Sequence, residues 1–358
     1  MGPGPSDVHP RVLGAMSKAT IGHLDPEFIA LMEDIKDLLR YCFQTENALT
    51  LPLSAPGSAA MEAAFANLLE PGDKAIVCIN GVFGMRMAEN VRRMGGDLVT
   101  VEDEWGAPVD AEKLQSALAQ HPDAKIVAFV HAETSTGVCS DAKTLCAMAA
   151  QAGCLSIVDS VTGLAGVELL VDDWGADVTY SGTQKCLSAP PGISLITFSE
   201  NAAARVQSRN TPVQSWFLDL SLLMAYWQGE GARTYHHTAP VNAMYGLHEA
   251  LLMVKEEGIE NAWQRHREMH GLLAQGVLSL GLDFVVAEDC RLPQLNLVRC
   301  PEGLDEGAVR KRLLHEYNLE IGAGLGAFAG KVWRIGLMGY SARRENVELC
   351  ISALRSCI

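Results

Sequence analysis

Between residues 49 and 198, short apolar or β-branched runs alternate with stretches whose apolar residues recur about every 3.6 positions. The short runs predict strands at Leu49–Leu53, Lys74–Ile79, Asp97–Val101, Lys125–Val130, Leu155–Asp159, Asp177–Ser181 and Ile193–Phe198. The periodic stretches predict helices at Ser58–Leu69, Met85–Met94, Ala111–Gln120 and Ala142–Ala152. Polar and apolar residues barely alternate inside the strands, so both faces of the sheet are expected to be covered. This is the pattern of an α/β protein, with a mostly parallel seven-stranded sheet between helical layers.

Beyond Ser199 the pattern changes. Helices Phe217–Trp227 and Val241–Glu257 follow without an intervening strand, and Glu260–Leu280 reads as a longer amphipathic helix. Strand Pro293–Val298, helix Asp305–His315, strand Lys331–Gly336 and helix Arg343–Ser356 then make a smaller α+β unit. The expected division is an N-terminal segment (1–20), a large α/β domain (21–256) and a small C-terminal α+β domain (257–358). A continuous helix is expected to join the last two.

Composition narrows the function classes. The 358 residues suffice for two domains, and 48% hydrophobic against 20% charged residues excludes disorder. Lys plus Arg total 28 against 43 acids, a net charge of −15 that repels phosphate backbones and anionic lipid. Neither nucleic acid nor membrane is therefore expected as a partner, and no run approaches the roughly 18–20 apolar residues of a membrane span. Met1–Ser6 has neither the basic nor the apolar region of a secretory signal, and Arg355–Ile358 is no peroxisomal signal. The 10 cysteines include no C-x-x-C pair, so they read as reduced, buried side chains of a cytoplasmic protein.

Ligands of parallel α/β sheets bind beyond the carboxyl ends of the strands, and four loops there carry chemistry. Ser54-Ala55-Pro56-Gly57-Ser58 runs into a helix whose free N–H groups suit a phosphate, although Gly-Ser also serves as a plain N-cap. Asp159 closes an apolar strand, where an ionised carboxylate needs a cation or several donors; capping the next segment is its alternative role. Lys185 follows another strand amid small and apolar residues, which favours a depressed pKa and a nucleophilic amine. His131-Ala132-Glu133-Thr134-Ser135-Thr136-Gly137 gathers hydroxyls, as a ligand loop or as a polar turn. Together they form the set that pyridoxal 5′-phosphate requires: a lysine for its aldehyde, a carboxylate for its ring nitrogen and a helix N-terminus for its phosphate.

At this point the chain resembles the class V, fold type I pyridoxal-phosphate aminotransferases, and among them the alanine–glyoxylate / serine–pyruvate aminotransferase family. The matching strings are Gly2-Pro3-Gly4-Pro5-Ser6, His131–Val138, Val158-Asp159-Ser160-Val161, Tyr180–Lys185 with Ala189-Pro190-Pro191-Gly192, Tyr235-His236-His237-Thr238 and Gly330–Gly336. The resemblance implies that Lys185 is the Schiff-base lysine and proton carrier, and that Asp159 pairs with the ring nitrogen. It implies that Val161 and Phe83 sandwich the ring, that Thr134 contacts its substituents, and that Gly57, Ser58 and Gln184 bind phosphate. Tyr235 and Thr238 would complete the phosphate site of the other subunit of a homodimer, and Arg334 would clamp the substrate carboxylate. For Arg334 a structural ion pair is the alternative, and for Tyr235 a place in the core. His236-His237 resembles a metal pair, but neighbours on a strand would face opposite ways.

The implied reaction is ping-pong transamination from alanine or serine to glyoxylate or pyruvate. Another donor such as ureidoglycine, or a lyase of the same fold, is the alternative. Desulfurases of this fold place histidines where this chain has Phe83 and Gln184, which argues against desulfuration. The chain departs from the family in three places. Phe83 stands where Trp is common, Ala55-Pro56-Gly57-Ser58 replaces a glycine-rich loop, and the Gly-Pro-Gly-Pro motif is not preceded by the usual arm.

Overall fold

The computed structural model describes residues 1–227 and 234–358. Its strands, in chain order, are β1 (Leu49–Leu53), β2 (Lys74–Ile79), β3 (Asp97–Glu102), β4 (Ile126–Val130), β5 (Ala132–Glu133), β6 (Val138–Cys139), β7 (Leu155–Asp159), β8 (Val178–Gly182), β9 (Ser194–Phe198), β10 (Leu295–Arg299), β11 (Gly322–Ala323) and β12 (Val332–Gly336). Seven of them form one sheet in the order β1-β9-β8-β7-β4-β2-β3. The ladders joining β3, β2, β4, β7 and β8 are parallel, as the uniformly apolar strands predict. β9 runs antiparallel to both its neighbours. Only the short stretch through Pro190-Pro191-Gly192 separates it from β8, too little for the helical crossover that a parallel pair needs.

Helices Gly57–Leu68, Val82–Arg93, Ala111–Gln120 and Ala142–Gln151 cross between strands and bury their apolar stripes on the sheet. β1, β4, β8 and β9 are consequently buried along their whole lengths. The core also takes in helix Pro26–Phe43, which the strand–helix alternation did not reveal. Asp25 caps its start, Pro26 fixes its first turn, and Phe28, Met32, Ile35, Leu39 and Cys42 face inward.

The C-terminal part has its own core, built on the antiparallel sheet β10-β12-β11 and helices Ile259–Ser279, Glu306–Tyr317 and Arg344–Cys357. The expected continuous connecting helix is interrupted. Val241–Glu257 ends and Ile259–Ser279 begins at Gly258, whose φ of +87° lies in the left-handed region that favours glycine. Among the described residues, no helix is long and apolar enough to cross a membrane.

Candidate active site

Every loop singled out in the sequence leaves the sheet at one edge. Ser54 follows β1, Asn80 follows β2, His131 follows β4, Ser160 follows β7 and Thr183 follows β8. In the parallel register Asp159 stands beside Val130 on one side and Tyr180 on the other. Around this edge lies a cavity of about 180 Å³, lined by Pro56, Gly57, Ser58, Met61, Phe83, Arg86, Asp159, Val161, Tyr180, Gln184 and Lys185. It unites seven of the eleven expected site residues.

Asp159 is buried and accepts from the Val161 N–H and the Tyr180 hydroxyl, each at 2.9 Å. Both donors are neutral. Burial therefore dominates and pushes the carboxyl up to about 7, only partly opposed by these two bonds. Lys185 is also buried, and its Nζ donates to the Pro3 carbonyl at 2.7 Å. Burial, and secondly the Arg334 charge, lower its pKa to about 8. Room for this amine depends on Gly4, whose φ is +98° and on which a Cβ would come within 2.7 Å of Nζ. The Ser6 hydroxyl donates to the Lys185 carbonyl at 2.6 Å and seats the segment.

The remaining expected residues lie outside the cavity lining. Arg334, on β12, donates through Nε to the Ala323 carbonyl at 2.7 Å and through Nη1 to the Thr134 carbonyl at 3.2 Å. Among the described residues it forms no salt bridge, and Glu133 acts on it only at longer range. Burial lowers its pKa to about 10. The Thr134 hydroxyl pairs with that of Thr162. Tyr235 is 56% exposed rather than part of the core, and its hydroxyl lies 3.1 Å from that of Thr238. His236 and His237 sit in a loop, not a strand, and do not face opposite ways. Their Nδ1 atoms are 2.8 Å apart, and His237 Nε2 reaches the Ser54 hydroxyl at 2.7 Å.

Four residues with no role assigned from sequence belong here: Tyr180, Glu133, Arg86 and Pro3. Tyr180 was the most accessible of them, since parallel neighbours β7 and β8 put the two strand ends side by side. Arg86 follows Phe83 by one helical turn, and its guanidinium lies 4.8 Å from the ring centroid.

Pyridoxal phosphate fits this donor set on three observations. Gln184 lines the cavity, and its side-chain amide N–H groups can donate to a phosphate. Helix Gly57–Leu68 opens on the cavity with no side-chain cap, leaving its first N–H groups for an anion. Asp159 accepts only from neutral donors, where a protonated ring nitrogen would add a charged one.

Fold and site together define an aminotransferase of the pyridoxal-phosphate class. The class V aminotransferase family profile matches residues 5–349, and the chain belongs to that family. It is 41% identical over 360 residues to the alanine–glyoxylate aminotransferase of Rattus norvegicus, covering 100% of this chain and 87% of the relative. The (S)-ureidoglycine–glyoxylate transaminase of Bacillus subtilis (strain 168) is 37% identical, with 100% of this chain and 90% of the relative covered. The crystal structure of alanine–glyoxylate aminotransferase from Nostoc sp. superposes with a TM-score of 0.97 at 46% identity, covering 100% of this chain and 94% of that one.

Proposed function

We propose that this aminotransferase moves an amino group from alanine or serine to glyoxylate or pyruvate, in the cytoplasm, as a homodimer with shared active sites. One observation carries the substrate class. Arg334, the cation nearest in kind to a carboxylate clamp, is buried, forms no salt bridge among the described residues, with only Glu133 acting on it at longer range, and lies close enough to Lys185 to depress its pKa. An α-carboxylate held there brings the neighbouring α-carbon toward Lys185.

When bound, pyridoxal phosphate supplies an aldehyde for the amine and a ring that delocalises negative charge from the α-carbon. The chain's residues do the rest. Lys185 Nζ, its pKa lowered to about 8 chiefly by burial, removes the α-proton in its unprotonated form and returns it one position away. Asp159 holds a proton on the ring nitrogen, and Tyr180 and Val161 N–H hold Asp159. With the cofactor bound, Phe83 and Val161 would bracket the ring, Gln184, Gly57 and Ser58 would bind the phosphate, and Thr134 would contact the ring substituents.

The relatives whose printed names pair alanine with glyoxylate support the first donor, and the ureidoglycine enzyme keeps that donor as the second reading. Exposure of Tyr235, with Thr238 beside it and both away from their own cavity, supports donation of this pair to a partner subunit. Two apolar cores, the larger lying mostly within 21–256 but reaching Trp263, Leu295 and Met338, and the smaller within 257–358, support a cofactor domain over 21–256 and a small domain over 257–358. Ten free cysteines, seven of them buried, support the cytoplasm.

A donor-by-acceptor panel tests the proposal. Alanine or serine with glyoxylate or pyruvate should give parallel initial-rate lines, and intersecting lines or a preference for ureidoglycine overturn it. Mixing Lys185→Ala with Tyr235→Phe/Thr238→Ala subunits tests the dimer. Activity should rise above both parents, and absence of any gain refutes shared sites.

A further inference from the structure

Glu133 is fully buried, yet among the described residues no cation lies within ion-pair distance of it. Its oxygens are spent on one turn and one helix. Oε1 accepts from the Ser135 N–H at 2.9 Å and hydroxyl at 2.6 Å, and Oε2 accepts from the Phe83 N–H at 3.2 Å. Ser135 Oγ in turn accepts from the Val82 N–H at 2.9 Å. The free N–H groups that open helix Val82–Arg93 are thus bound by side chains some fifty residues further along the chain.

Two of the other three crossover helices are built differently. Asp110 and Asp141 cap their own helices from the adjacent position. The corresponding position before Val82 is Gly81, with no side-chain cap. A Cβ there would lie 2.5 Å from Glu133 Cγ and Cδ and from Ser135 Oγ. Position 81 has given up its own cap so that Glu133 can occupy the space. The consequence is geometric. The start of the helix, and with it Phe83, is registered to the turn beyond β4 that also carries Thr134, rather than to its own strand β2. A buried carboxylate with no cation in direct contact, Arg334 acting on it only at longer range, is costly, and an ordinary cap would serve a merely structural need more cheaply.

We propose that Glu133 is a positioning residue, fixing the plane of Phe83 against the cofactor ring by capping the helix from the opposite loop. The inference rests on the reading of Phe83 as the ring-stacking residue. A double-mutant cycle tests it with Glu133→Gln, Phe83→Ala and the double variant, each freed of cofactor. The readouts are the dissociation constant for pyridoxal phosphate and the visible circular dichroism of the bound form. Glu133→Gln should weaken binding about tenfold and alter the dichroism, because the amide nitrogen cannot accept from Phe83 N–H. In the Phe83→Ala background the same change should cost no more than about twofold. Equal factors in both backgrounds overturn the proposal. If Phe83→Ala alone binds cofactor like the parent, the stacking role itself falls. Should Glu133→Gln fail to fold, Ser135→Ala, which removes one of the two donors to Oε1 and the acceptor of Val82 N–H, should give a smaller effect with the same dependence on Phe83. An effect of Ser135→Ala independent of Phe83 counts equally against it.

Discussion

Lys185 offers the sharpest quantitative test, because its reactivity follows from its surroundings. Burial first and Arg334 second lower its pKa from 10.5 to about 8. At pH 7.5 about 24% of the amine is then unprotonated, against about 0.1% for an ordinary lysine, a gain of about 240-fold. The structure also fixes the direction of the response to a variant. Arg334→Met deletes the second cause and leaves the first, so the midpoint should rise while remaining below 10.5.

The assay is the rate at which cofactor-free enzyme captures pyridoxal phosphate covalently, followed by borohydride fixation and by absorbance. Its logarithm should climb with unit slope up to about pH 8 and then level off. In Arg334→Met the plateau should begin at higher pH. Arg334→Lys is the control: it keeps the charge and should leave the midpoint near that of the parent. Having lost the planar fork, it should still raise KM for the amino acid by about tenfold. A rate that goes on climbing toward pH 10.5, or a midpoint that falls in Arg334→Met, would refute the argument that desolvation and Arg334 activate the amine.

Three further outcomes follow from the same geometry. The folded-state pKa of Asp159 is raised from 3.8 to about 7, so its proton stabilises the cofactor-free fold fully below about pH 4. That stabilisation is lost as pH rises through 7, and it amounts to on the order of 4 kcal/mol. Denaturant unfolding of cofactor-free enzyme across this range should show the decline, and Asp159→Asn should flatten it. An unchanged slope in the variant contradicts the assignment. Tyr180→Phe removes one of the two donors to Asp159 and should lower kcat/KM about tenfold with the fold intact, checked by steady-state kinetics alongside far-ultraviolet dichroism. Gly4→Ala should block covalent capture, since its Cβ would collide with Lys185, while Gly72→Ala, at φ +89° with nothing within 4 Å, should cost only about 1–3 kcal/mol of backbone strain. Equal loss of capture in both variants would argue against a special role for the N-terminal segment.

The parts legible in the sequence are those encoded locally. β4, β7 and β8 are continuous apolar runs because both faces are covered, and Asp159 and Lys185 stand out because a charged group ends or follows such a run. Helix Pro26–Phe43 was readable too, from Asp25-Pro26 and the inward series Phe28, Met32, Ile35 and Leu39, but it lies outside the alternation that drew attention to the rest. Glu133 was not readable. Its string looks like a polar turn, and its partner helix begins fifty residues earlier, so only folding reveals that it supplies the cap Gly81 lacks. The same holds for Pro3, whose carbonyl meets Lys185 across 182 positions.

The deviations from ordinary ionisation explain why these residues need a ligand of one polarity. Lys185 and Arg334 are two buried cations, and the charge of Arg334 helps lower the pKa of Lys185. Near them an uncapped helix N-terminus adds a positive partial charge. In a chain of net charge −15 this is a local surplus of positive charge, which Glu133, acting on Arg334, offsets only in part. Asp159 is the opposite case, a buried acid whose hydrogen-bond donors are neutral and whose pKa burial has raised. A ligand that settles both must carry a protonated nitrogen at one end and anionic oxygens toward the other. Pyridoxal phosphate with an amino-acid carboxylate satisfies that demand. Its binding should therefore return the Asp159 carboxyl toward its ordinary acidity, a shift that titration of the bound and free forms can read directly.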